Sequence, residues 1–130
     1  MKRLLILLML VSQPVWAEWV ELGSTRGGTV SVYWDPSTVR KTVNGRRAWA
    51  MISFEQPQAQ SYGTYQSSKS VDEFDCEGER YRNLQSSAFS GPMGTGNVVI
   101  SSNSPSQWEF VIPRSVAENQ LKAVCRMPLK

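Results

Sequence analysis

From residue 18 onward, apolar and polar side chains mostly alternate, which predicts strands rather than helices. Trp19 and Glu21 alternate with Val20 and Leu22 over residues 18–23, and Thr25-Arg26-Gly27-Gly28 reads as a turn. Val30, Val32 and Trp34 share one side of a strand over residues 29–34. Asp35-Pro36-Ser37-Thr38 breaks that pattern as a turn or a single helical turn. Residues 39–43 and 46–55 flank Asn44-Gly45, a strong hairpin signal. Counted outward from it, Val43, Lys41 and Val39 share a face with Arg46, Ala48, Ala50, Ile52 and Phe54, read as the core face. The opposite face carries Arg40, Thr42, Arg47, Trp49, Met51 and Ser53. Pro57 marks residues 56–60 as a loop, and residues 62–69 lead into the next strand.

A second hairpin is centred on Glu77-Gly78, where glycine supplies the positive φ of a two-residue turn. That turn sets Cys76 opposite Glu79, Asp75 opposite Arg80, Phe74 opposite Tyr81, Glu73 opposite Arg82, Asp72 opposite Asn83 and Val71 opposite Leu84. One face then holds two opposite-charge pairs, Asp75 with Arg80 and Glu73 with Arg82. The other holds Cys76, Phe74 and Tyr81. Residues 90–96 read as a flexible loop, 97–101 as a last short strand and 102–106 as a loop. The period changes only after Pro113. Ser115-Val116-Ala117-Glu118 forms a capping box, and Ala117, Leu121, Val124 and Cys125 fall on one helix face. The chain therefore reads as α+β: an antiparallel sheet with one helix on it. Trp19, Trp34 and Trp108 are assigned to the core or its edge.

Residues 1–17 read as a signal peptide rather than as fold. Lys2 and Arg3 precede an apolar run from Leu4 to Val11, and Val15-Trp16-Ala17 ends in the small-residue pattern of a cleavage site. The run is too short to stay as a membrane span, and with no cysteine near the cut a lipid anchor is not expected. Residues 18–130 form one domain, exported to the periplasm, the cell surface or the medium. The formal charge of +3 falls to about +1 once Lys2 and Arg3 leave, because 14 basic residues then lose two against 11 acidic ones. Generic nucleic-acid binding loses its support. Two cysteines in an exported chain predict one disulfide, Cys76 to Cys125, which ties the helix to the second hairpin. Its loop of about 50 residues corresponds to about 4 kcal/mol in the chain-entropy relation.

The chain contains no histidine. Ser-His-Asp and Cys-His catalysis are thereby excluded, as is a zinc site with a histidine ligand. Asp72, Glu73, Asp75, Glu77 and Glu79 are a poor calcium site, since alternation sends Asp72 away from Glu73 and Asp75, and Arg80 and Arg82 neutralise the outer pair. Residues 91–96 precede a strand rather than a helix, unlike a phosphate cradle. Lys69 among Ser67, Ser68 and Ser70 suggests a Ser/Lys hydrolase, but on a strand no serine projects beside it on the same face except two residues away, and a catalytic lysine also needs burial to lower its pKa. No enzyme activity, cofactor or metal is expected. The most suggestive surface is the non-core face of the first hairpin. There Arg40, Arg47, Trp49 and Met51 bring together the residue types enriched at protein interfaces, so this face is expected to dock a protein partner or a second copy of the chain.

Several stretches in order give the chain a family likeness. They are Ala17-Glu18-Trp19-Val20, then Tyr33-Trp34-Asp35-Pro36-Ser37-Thr38-Val39-Arg40, then Ser67-Ser68-Lys69-Ser70 leading into Glu73-Phe74-Asp75-Cys76 and Arg80-Tyr81-Arg82. Ser90-Gly91-Pro92-Met93-Gly94-Thr95-Gly96, Trp108, Pro113-Arg114-Ser115-Val116 and Lys122-Ala123-Val124-Cys125 complete the series. Together these resemble the surface-adhesin protein E family of Gram-negative bacteria. The resemblance implies an antiparallel sheet of about six strands, with a C-terminal helix on its concave face tied by a disulfide. It also implies a non-enzymatic adhesin that binds extracellular-matrix or serum proteins. The other reading of the same chain is a periplasmic accessory domain that binds another envelope protein or a small ligand.

Overall fold

The computed structural model describes residues 18–129; the signal peptide expected over residues 1–17 lies outside them. Six strands, β1 (Val20–Thr25), β2 (Val30–Lys41), β3 (Arg46–Gln60), β4 (Gly63–Asp75), β5 (Arg80–Phe89) and β6 (Val98–Ser102), pair antiparallel in chain order. A two-residue strand, β7 (Glu109–Phe110), pairs with the far end of β5. The helix α1 (Val116–Arg126) lies on one face of this sheet.

The helix starts where the capping box predicts, with Ser115 Oγ accepting from the Glu118 amide at 3.2 Å. Leu121 and Val124 pack into a core with Trp34, Val39, Ala48 and Phe74. Gln120 is buried beside them and donates to Asp72 at 3.0 Å. At the other end Arg46, on the same face of the sheet, donates through Nη1 to the carbonyls of Val124 and Met127. A guanidinium there adds to the bond that the Val124 carbonyl already accepts from the Met127 amide, and offsets the negative end of the helix dipole. The disulfide Cys76–Cys125 closes across the last turn of α1, its ends 49 residues apart.

The β4–β5 hairpin keeps four of the six expected pairs, from Asp75/Arg80 to Asp72/Asn83, while Cys76 and Glu79 fall in the turn. Val71 faces Gln85 instead of Leu84, because a β-bulge inserts one residue into β5. The connecting turn is four residues long, and its positive φ belongs to Glu79 at 52° rather than to Gly78. Gly78 serves the turn in another way. Its amide donates to Asp75 Oδ1 at 3.0 Å, and a Cβ would fall 2.4 Å from the other oxygen of that carboxylate.

The first hairpin differs more. Arg40 faces Arg47 and Lys41 faces Arg46, leaving a turn over residues 42–45 and a register two residues from the expected one. A slip of two preserves the faces, so Val39, Ala48 and Ala50 are in the core as expected, but Val43 is thrown into solvent. Thr42 closes the wider turn through its amide to the Gly45 carbonyl and its hydroxyl to the Gly45 amide. Asp35-Pro36-Ser37-Thr38 is a bulge inside β2 rather than a break. Asp35 accepts from the Ser37 amide and hydroxyl, while Thr38 Oγ1 donates to the Asp35 carbonyl and accepts from the Trp49 amide at 2.9 Å. Side-chain oxygens replace the missing ladder bonds, so the strand resumes on the far side. Residues 56–60 are likewise strand, with an irregularity between Ser53 and Gln58 that accommodates Pro57.

Residues 90–96, expected as a flexible loop, fold back over the face opposite the helix. The amides of Met93 and Gly94 donate to the hydroxyls of Ser53 and Ser67, and Ser67 donates to the Gly91 carbonyl. This contact buries part of a face that strand alternation alone leaves open.

Candidate functional site

Of the residues singled out from the sequence, Arg40, Arg47 and Trp49 come together on the face of the sheet opposite α1. They line an open groove of about 500 Å³ whose other walls include Ser37, Thr38, Val71, Leu84 and Gln85. Met51 does not join them. It points to the same face but is fully buried, 0% exposed, in the region where the turn Pro92–Gly94 packs on β3 and β4. Its expected contribution to a docking surface is therefore corrected: Met51 fills space beneath that turn, and the exposed site consists of the two arginines and the half-buried indole.

Strand pairing sets this geometry. Arg40 and Arg47 are directly opposite on β2 and β3, and Glu73 and Arg82 continue the row on β4 and β5. Glu73 gives its carboxylate to Arg82 at 2.8 Å and is itself buried. Trp108 lies over this end of the row, with the guanidiniums of Arg80 and Arg82 each 4.6 Å from its ring centroid. The second ion pair, Arg80 with Asp75 at 2.8 Å, lies beside it. The Gly78 amide and then Arg80 hold the Asp75 carboxyl below its ordinary range. The groove thus lies next to a row of charges whose acidic member is already engaged. Sequence alternation finds the arginines and Trp49, but not Trp108 as the cover of Arg80 and Arg82, nor Leu84 and Gln85 as a wall. Their placement follows from a chain crossing and a bulge with no local periodic signature.

On the helix face, Asp72 accepts from Gln120 and Asn83. Burial pushes its carboxyl above the ordinary 3.8, against the opposing hydrogen bonds from Gln120, Ser70 and Asn83. The folded protein therefore holds this proton more tightly than the unfolded chain does. Asp72 favours folding while protonated, and that contribution is lost as pH rises from the ordinary value through the raised one. Asp72→Asn, with one neighbouring amide turned to donate or accept as needed, should melt higher than the parent at pH 7. The difference should close as pH falls toward 3.8. Thermal melts of both proteins across that range check it; equal melting temperatures at pH 7 would show that Gln120 and Asn83 fully compensate the burial.

The sequence profile of the family described as surface-adhesin protein E matches residues 19–126. No curated protein sequence matches the chain. Among solved structures, Haemophilus influenzae protein E superposes with a TM-score of 0.62 at 9% identity, covering 86% of each chain. A second crystal form of the same protein gives 0.60 at 9% identity, covering 86% of this chain and 90% of that one. At that identity the superposition speaks to the fold alone.

Proposed function

The chain belongs to the surface-adhesin protein E family, and from that premise we propose that it is an exported, non-enzymatic binding protein which captures a protein partner through the groove of Arg40, Arg47 and Trp49. The family supports an adhesin-like class of activity, and an extracellular-matrix or serum protein is the kind of partner proposed here. The observation that carries the reading is local. A half-buried tryptophan and two exposed guanidiniums share one open groove on the face that the helix leaves free. Tryptophan and arginine at the centre of a concave patch are the side chains that most often dominate binding energy. The absence of histidine removes the commonest general base for catalysis at neutral pH. The residues at 1–17 support export by their charged start, apolar run and small-residue end.

The test uses the purified chain without residues 1–17, passed over immobilised extracellular-matrix and serum glycoproteins by surface plasmon resonance. Wild type should bind at least one of them, and Trp49→Ala should weaken that binding by at least about 1–2 kcal/mol. Lys122→Ala, on the exposed side of the helix, should not change it. Analytical ultracentrifugation of the same variants reads self-association in the same way. Binding that survives Trp49→Ala intact would remove the groove from the reading. Wild type that neither binds nor self-associates would remove adhesion, and protease protection of the protein on intact cells would move its partner into the periplasm.

A further inference from the structure

The groove also shows what chemistry its partner should carry. Arg40 and Arg47 face each other directly across the β2–β3 ladder, and like charges at facing positions oppose sheet formation. Two other arginines on this face are paired within the chain: Arg82 with Glu73 and Arg80 with Asp75. Among the described residues neither Arg40 nor Arg47 makes an ion pair. Glu73 faces Arg47 across the β3–β4 ladder but is engaged by Arg82, and Asp35, at the start of the bulge, is engaged by the Ser37 amide and hydroxyl. Among the described residues the walls of the groove include no aspartate or glutamate.

Arg40 is moreover held in place. Its Nη1 donates to the carbonyls of Ser37 at 3.1 Å and Val39 at 2.8 Å, both within the bulged stretch of β2. Bulges commonly re-aim a side chain, and here the bulge fixes one edge of the guanidinium while its remaining N–H groups stay available. A guanidinium already immobilised loses little freedom on forming further bonds. Beside the arginines, Trp49, Val71 and Leu84 supply an apolar wall. A planar guanidinium matches the two oxygens of a carboxylate, and the apolar wall matches the side chain of an adjoining residue.

Resting on the reading of the groove as the binding site, we propose that it takes an acidic segment of its protein partner, with a carboxylate between Arg40 and Arg47 and a neighbouring apolar side chain against Trp49. The mismatch of two facing cations is then resolved in the complex rather than within the free chain.

The probe is a fluorescein-labelled peptide alternating glutamate and leucine, with its glutamine counterpart, followed by fluorescence anisotropy on the folded, disulfide-bonded protein. The glutamate peptide should bind at least tenfold more tightly than the glutamine peptide and weaken as salt is raised. The double variant Arg40→Gln/Arg47→Gln should lose at least tenfold, whereas Lys122→Gln, which also removes positive charge but on the helix, should lose less than twofold. Circular dichroism confirms that each variant is folded. Equal binding of the two peptides, or an equal loss with Lys122→Gln, overturns the proposal. So does a sulfated oligosaccharide that binds the groove while the glutamate peptide does not. If the peptide fails but Trp49→Ala still abolishes capture of a partner protein, this inference falls and the proposed function stands. If both measurements fail, the groove is not the binding site.

Discussion

Cys125→Ser should lower the free energy of unfolding by about 2–5 kcal/mol. The bridge joins the last turn of α1 to the residue just past β4, and its ends are 49 residues apart in sequence. Among the described residues it is the one covalent link between helix and sheet. Much of its effect is exerted on the unfolded chain, whose closed loop opens when the bridge is lost. The denaturant midpoint should therefore fall while the slope with denaturant rises, because more surface is exposed on unfolding. Wild type held under reducing agent should reproduce both changes. An unchanged midpoint would mean that Leu121, Val124 and the Arg46 contacts hold the helix without help.

Phe74→Ala should cost about 3–5 kcal/mol, by a different route. Phe74 is 0% exposed and shares the core beneath the helix with Trp34, Val39, Ala48, Leu121 and Val124. Its ring stacks on that of Tyr81, with centroids 6.2 Å apart. Its backbone leaves no slack either, since a Cβ on Gly45 would fall 2.0 Å from the Phe74 carbonyl oxygen. Truncation removes the ring from this packed core and leaves a cavity in the folded state. The denaturant slope should stay close to the parent's, in contrast to the disulfide variant. Phe74→Leu should recover most of the loss. A cost below about 1 kcal/mol for Phe74→Ala would show that the helix settles into the vacated space.

The parts of this fold that are legible in the sequence are those enforced by neighbours along the chain. The β4–β5 register can be read because Asp75 with Arg80 and Glu73 with Arg82 make sense only in one alignment. The start of α1 can be read because the Ser115 hydroxyl meets the Glu118 amide within one turn. The bulge at residues 35–40 cannot, because the strand is carried across it by side-chain oxygens, including the Thr38 hydroxyl meeting an amide on β3. Met51 is misplaced for a related reason. Alternation identifies its face correctly, but burial on that face depends on Met93 and Gly94 hydrogen-bonding to Ser53 and Ser67, and those residues are far apart in sequence. The same alternation puts Arg40, Arg47 and Trp49 on one side, where they line an open groove.

The order of strands β1 to β6 in the sheet equals their order in the chain, and this matters for how a polypeptide threaded across a membrane acquires its shape. Each strand from β2 to β6 finds its pairing partner already delivered, so the sheet can grow from its N-terminal edge without waiting for distant segments. The helix is the exception. Its contacts reach back to β1, β2, β3 and β4, and Cys125 emerges long after Cys76. Docking of α1 and closure of the bridge are therefore terminal events, and until they occur the face bearing Phe74 and Trp34 is open to solvent. An export-side chaperone would have that face to hold, and an oxidant acting on the finished sheet would find only one thiol pair to join.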